Sequence, residues 1–139
     1  MAIKKVKPYG DGNYTEAAFR SFLIAGLRDK STRWAPKSSA KKKARKGKLV
    51  NPRTGRDCIA NLCAICGGRF LEKETHVDHK SPIVPLTGFN GETWLGYNWT
   101  ELMQRLFCEA GGFQVLCAEC HSVKTNHERE LRVRYRNAK

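Results

Sequence analysis

Cys63-Ala64-Ile65-Cys66 and Cys117-Ala118-Glu119-Cys120 form two C-x2-C pairs, the most specific chemical signal in the chain. Two residues between thiols let one tight turn offer both sulfurs to a single ion, and two such turns complete a tetrahedral four-cysteine zinc site. Gly67-Gly68 gives the first turn the backbone freedom it needs. The rival reading is a redox C-x2-C pair, against which stand the duplication and the lack of a thioredoxin-like pattern. With four ligands and no open position, the Zn2+ is expected to be structural. Its apparent binding energy of roughly 10–16 kcal/mol would then go into folding. Cys108 reads as an ordinary buried thiol, and Cys58 carries no reading.

His76-Val77-Asp78-His79 cannot belong to that site, whose four positions are taken. Near a strand end, adjacent side chains can divide the work: Asp78 on a metal ion, His79 on a water. His121 follows Cys120 directly, so the cysteine clasp sets its position and brings it within reach of Asp78 and His79. Taken singly, each of the three is an ordinary surface residue. His76 reads as a supporting residue behind the site and His127 as a helix-surface residue.

The 139 residues carry 26 Lys plus Arg against 13 Asp plus Glu, a net charge of +13 that is unevenly spread. Lys30 to Arg56 holds eleven basic residues and no acid, whereas Asp57 to Val123 is net −4 and Lys124 to Lys139 is net +4. Such basic arms suit a polyanion, because neutralising each phosphate releases counterions. Lys41, Lys42, Lys43, Arg45, Lys46 and Lys48 are the expected nucleic-acid contacts, with Lys80 and Lys124 nearer the histidines. A membrane surface fits less well, since the arm has no bulky apolar face to insert. No apolar run approaches the roughly 20 residues of a membrane span. Met1 to Pro8 has charge without a following apolar stretch, so no signal peptide is expected and the protein is placed in the cytoplasm, not secreted.

These residues need elements to hold them. Thr15 caps an expected helix from Glu16 to about Arg28, with Phe19, Phe22, Leu23 and Leu27 on one face. Ser39 is expected to cap a short basic helix stopped by Gly47, and Asn51 to Gly55 reads as a turn. Thr75–His79 and Phe113–Leu116 are strand candidates. Between them Thr100 is expected to cap a helix striped by Leu102, Met103, Leu106, Phe107 and Ala110 and closed by Gly111-Gly112. A last helix is expected from about Ala118 to Arg136. The organisation is an N-terminal helix and basic arm over residues 1–56, then a zinc-stapled module over 57–139, in one compact α+β domain.

His76 to Pro82 followed by Phe113 to Thr125, with its Cys-x2-Cys-His-x2-Lys-Thr ending, resembles the HNH endonucleases. More narrowly, Arg33-Trp34 and Trp99 to Phe107 resemble small phage-encoded members with a four-cysteine zinc site. The resemblance implies a ββα-metal core of two strands and a helix, with a helical insertion between the strands. It implies that Asp78 and His121 bind the catalytic divalent ion and that His79 is the general base. Mg2+ or Mn2+ would be that ion, with Ni2+, Co2+ or Zn2+ also permitted by the imidazole ligand. The implied products are 5′-phosphate and 3′-hydroxyl ends, and phage packaging or replication proteins are the implied partners. The family's middle Asn lies nine residues before the last His, where this chain has Gly112; Asn90 or Asn98 are the candidates to replace it.

The expected function is therefore a metal-dependent DNA endonuclease or nicking enzyme, with RNA left open as substrate. The alternative is a non-catalytic basic zinc-ribbon nucleic-acid-binding protein, which leaves Asp78, His79 and His121 as coincidence. Sequence specificity and oligomeric state are not encoded in any recognisable pattern.

Overall fold

The structure is a computed structural model describing residues 2–139. It is a mixed α+β chain with two small antiparallel sheets and four helices. Helix α1 spans Glu16–Ser31, and the Thr15 side chain accepts a hydrogen bond from the Ala18 N–H as expected of its cap. Leu23, Ile24 and Leu27 turn inward, while Phe22 is left largely exposed. Helix α2 spans Ala35–Ala44, opening at Trp34 with Pro36 in its first turn, where a missing N–H costs nothing.

Here the sequence reading needs correction. Ser39 lies inside α2 and caps nothing, and the helix ends at Ala44. Arg45–Val50 is strand β1, paired antiparallel with β2, Asp57–Leu62, through Lys48 opposite Ile59 and Leu49 opposite Cys58. The register shifts between Arg45 and Lys48, around Gly47 at φ 69°, a left-handed conformation that favours glycine. Strand β3, Arg69–Leu71, pairs with the other edge of β2. The arm is thus part of a three-stranded sheet, and the boundary expected at residues 56 and 57 falls within a hairpin, whose turn at Asn51–Gly55 is as expected. Alternation did not reveal β1, because its exposed face is almost all Arg, Lys and Gly.

Strand β4, Thr75–His79, pairs antiparallel with β5, Phe113–Cys117, setting Asp78 opposite Gln114 and His79 opposite Phe113. Between them runs a long excursion containing α3, Trp99–Leu106, capped by Asn98 rather than Thr100: the Asn98 side chain accepts from the Glu101 N–H. Helix α3 stops at Leu106, and a separate 3-10 turn at Ala110–Gly112 leads into β5. Helix α4, Ala118–Asn137, follows β5 without a break.

Two apolar clusters hold the assembly. Leu116, Cys63 and Cys117 pack with Phe70 beneath the cysteine turns. Ile83, Leu102 and Leu106 pack with Ile24 and Leu27 of α1 and the aromatic residues of the excursion. The excursion is also pinned by cations: Arg20 donates to the Leu95 carbonyl, Arg105 to that of Pro82, and Arg132 to that of Val84. Among the described residues, no helix is long and apolar enough to cross a membrane. Because Leu116 is fully buried in a small cluster, Leu116→Ala should destabilise the chain by about 2–5 kcal/mol in denaturant unfolding.

Candidate metal centre and histidine cleft

The four cysteines of the two pairs converge. Cys63 and Cys66 lie on the turn between β2 and β3; Cys117 ends β5, and Cys120 lies in the first turn of α4. Their sulfurs are all within 4.8 Å of one another, an arrangement that can hold a metal ion such as zinc. The backbone is shaped for this. The Cys63 N–H donates to the Gly68 carbonyl at 2.8 Å, the Gly67 N–H to the Cys63 carbonyl at 3.0 Å, and the Cys117 sulfur accepts from the Cys120 N–H at 3.5 Å. The Ala64 N–H reaches across to the Val115 carbonyl and locks the first turn to β5.

The charges ask for a cation. Burial works against a Cys63 thiolate, yet N–H groups of Cys117, Cys66 and Ile65 outweigh it and bring the thiol down to about 6. With the neighbouring sulfurs of Cys117, Cys63 and Cys66 so close, Cys120 is pushed up to about 12. Four cysteine sulfurs at this spacing could hold a positive ion, which would favour their thiolate forms. Cys58 and Cys108 stand apart from the cluster and are half-buried.

Asp78, His79 and His121 line one cleft of about 680 Å³. His121 is in the first turn of α4, and its Nε2 is 3.8 Å from Asp78 Oδ1. The other carboxylate oxygen, Oδ2, is held by Lys124 Nζ at 3.0 Å and by Gln114 Nε2 at 3.2 Å. His76, two residues before Asp78 on the same strand, stacks its ring on His121 with centroids 4.9 Å apart. Oδ1 and His121 Nε2 therefore form a carboxylate–imidazole pair whose spacing one divalent ion can bridge, with ligand bonds of about 2.0–2.6 Å.

His79 is half-buried against Phe113, their ring centroids 4.7 Å apart, and its Nε2 is 2.9 Å from the Leu106 carbonyl. A carbonyl only accepts, so Nε2 carries the proton and the neutral ring presents its lone pair at Nδ1. Burial is the main cause lowering the His79 pKa; the Leu106 and Asp78 contacts oppose it, and Lys37 and Arg28 reinforce it.

Neither Asn90 nor Asn98 hydrogen-bonds to His79, whose ring contacts the Leu106 carbonyl. Asn98 caps α3 and donates to the Asn90 carbonyl, so the oxygen orienting His79 comes from the C-terminal end of α3. Gly112 has a steric reason: a Cβ there would lie 2.6 Å from the Cys108 sulfur, while the Gly112 carbonyl accepts from the Lys80 N–H.

The expected nucleic-acid lysines are distributed differently from the sequence reading. Lys124 lines the cleft but is bound to Asp78, Glu128 and the His79 carbonyl. Lys80 lies outside it, beside Glu101 and Arg105. Lys41 pairs with Glu72 at 3.4 Å; Lys42 and Lys43 are exposed on α2, and Arg45, Lys46 and Lys48 are exposed on β1. Two cations of the cleft were not expected there: Arg28, and Lys37, counted in the sequence only as part of the basic arm. They belong to separate helices, and only the α1–α2 corner reveals their convergence; Arg28 closing α1 was the sole hint.

Comparison with protein-family models, curated proteins and solved structures finds no match to this chain.

Purified protein should carry one zinc per chain by elemental analysis, and Cys117→Ser should abolish its retention and lower the melting temperature. Gly112→Asn should destabilise the fold by about 1–3 kcal/mol through the clash with Cys108, relieved in the Gly112→Asn/Cys108→Ala double variant.

Proposed function

We propose that this chain is a metal-dependent endonuclease or nicking enzyme of the HNH type, acting on DNA, with the four cysteines holding a structural Zn2+. The observation that carries the reading is the shared cleft. A half-buried, carbonyl-oriented histidine stands beside a carboxylate–imidazole pair, all three set by one strand pair and the helix that follows it. A basic zinc-ribbon binder has no use for that arrangement.

Asp78 Oδ1 and His121 Nε2 would hold the catalytic ion. When bound, a hard ion such as Mg2+ or Mn2+ neutralises charge on the phosphate and on the departing 3′ oxygen. Lys124 and Gln114 keep Oδ2 occupied, so the carboxylate presents a single oxygen in a fixed plane. His79 Nδ1 accepts a proton from water as the water oxygen attacks phosphorus. The P–O3′ bond breaks, leaving a 5′-phosphate, and the 3′ oxygen takes its proton from solvent. The Leu106 carbonyl keeps the ring in the productive tautomer and shares the positive charge that develops on it.

Supercoiled plasmid incubated with the zinc-loaded protein and Mg2+ or Mn2+ should be nicked, and His79→Ala should lose at least about a hundredfold in rate, the scale of a lost general base. No nicking with either metal, or equal nicking by both proteins, refutes the proposal.

The pH profile carries a sign. A protonated His79 cannot accept the water proton, so the rate falls as pH drops through its pKa. Since burial lowers that pKa from 6.5, the acid limb of the nicking rate should lie below pH 6.5.

A further inference from the structure

Helices α1 and α2 meet at a corner that forms the wall of the cleft facing His79. Trp34 pins the corner: its Nε1 donates to the Cys108 carbonyl at 2.6 Å and its ring sits edge-on to Phe107, 5.5 Å away. Arg28 leaves from the last turn of α1 and Lys37 from the first turn of α2, and both line the cleft. Lys37 Nζ lies 5.7 Å above the Phe113 ring, the same ring that packs on His79. Between them Ser31 is buried; its hydroxyl donates to the Arg28 carbonyl at 2.7 Å and accepts from Lys37 Nζ at 3.5 Å.

The other two cations of the cleft are committed to the fold. Lys124 holds Asp78 and Glu128, and Arg132 holds the Val84 and Pro85 carbonyls. Among the described residues, neither Arg28 nor Lys37 pairs with a carboxylate. Two like charges, one of them partly buried, thus line one cleft without a carboxylate partner. Burial and Arg28 both push the Lys37 pKa down. An anion seated there relieves that repulsion and satisfies the unused donors.

We infer that Arg28 and Lys37 form a clamp for the phosphodiester backbone of a nucleic acid, binding phosphate in the same cleft that Asp78, His79 and His121 line. The clamp rests on the nuclease reading only for which phosphate it holds, the one next to the bond being cut. It accounts for what Lys42 and Lys43 of α2 and the cations of β1 do not: they are exposed, do not line the cleft and can raise affinity, whereas Arg28 and Lys37 line it.

The test uses the zinc-loaded full chain without added Mg2+ or Mn2+, a labelled short DNA duplex and the matching RNA duplex, titrated with salt. Arg28→Gln and Lys37→Gln should each reduce the log–log salt slope on DNA by about 0.9, one phosphate contact. Lys37→Arg should restore it, which a merely structural role would not do. Lys73→Gln, the same charge change outside the cleft, serves as the control and should leave the slope unchanged. Flattening on the RNA duplex alone also supports the clamp and identifies RNA as its ligand. In the nicking assay both Gln variants should raise KM about tenfold with little change in kcat, the mark of binding lost equally from ground and transition states. Flattened slopes with no nicking by the wild-type protein would leave the clamp standing and remove the nuclease reading. Unchanged slopes for both variants on both duplexes, with melting temperatures equal to wild type, overturn the clamp.

Discussion

Four sulfur atoms crowded within 4.8 Å of one another are the constraint on which this structure depends. Two come from the turn after β2 and two from the junction of β5 and α4, so their convergence ties the N-terminal sheet to the second strand pair. Backbone N–H groups draw the Cys63 thiol down, whereas the crowded sulfurs of Cys117, Cys63 and Cys66 hold the Cys120 thiol up. A cation held at their centre would favour all four thiolates together. The apolar support is slight: one small cluster beneath the sulfurs and a second around α3. Small cores of this kind rely on a covalent or metal staple.

The same convergence sets the histidine cleft. His121 is one residue past Cys120, so the start of α4 is placed by the sulfurs. The β4–β5 register puts Asp78 beside it and His79 against Phe113. The far end of the excursion then returns to supply the Leu106 carbonyl, and the α1–α2 corner closes over the top, held by Trp34. Positive charge is divided by role. Lys124, Arg132, Arg20 and Arg105 are used to hold loops and carboxylates in place, while Lys42, Lys43, Arg45, Lys46 and Lys48 remain at the surface.

Much of this was legible in the residues. The cap at Thr15, strand β4, most of β5 and the long last helix were each read within a few residues, because Thr capping, short apolar runs and the cysteine turn are local signals. Strands β1, β2 and β3 were passed over, although the turn at Asn51–Gly55 and the Cys63-x2-Cys66 knuckle between them were legible. The Lys and Arg residues of β1 suit a helix as well as a solvated edge strand, and only pairing with β2 decides between them. The cap of α3 was placed two residues late, since both Asn98 and Thr100 are good caps and tertiary packing chose the first. No side chain of Asn90 or Asn98 orients His79, for a different reason. The group that orients His79 is a backbone carbonyl, which every residue has and no side-chain motif can announce.

By itself the sequence determined the chemistry at hand: two C-x2-C pairs suited to one ion, a carboxylate and two imidazoles near them, and a large excess of positive charge on the flanking segments. Residue type and short spacing suffice for that, because a tight turn or a single strand fixes the neighbours within a few residues. What only the tertiary structure decided is how groups far apart in the chain meet. Asp78 with Lys124, His79 with Leu106, and Arg28 with Lys37 in the same cleft depend on a long excursion folding back and on the corner between two helices. Those contacts are set by packing and by the cysteine convergence, and neither is written in any local stretch of residues.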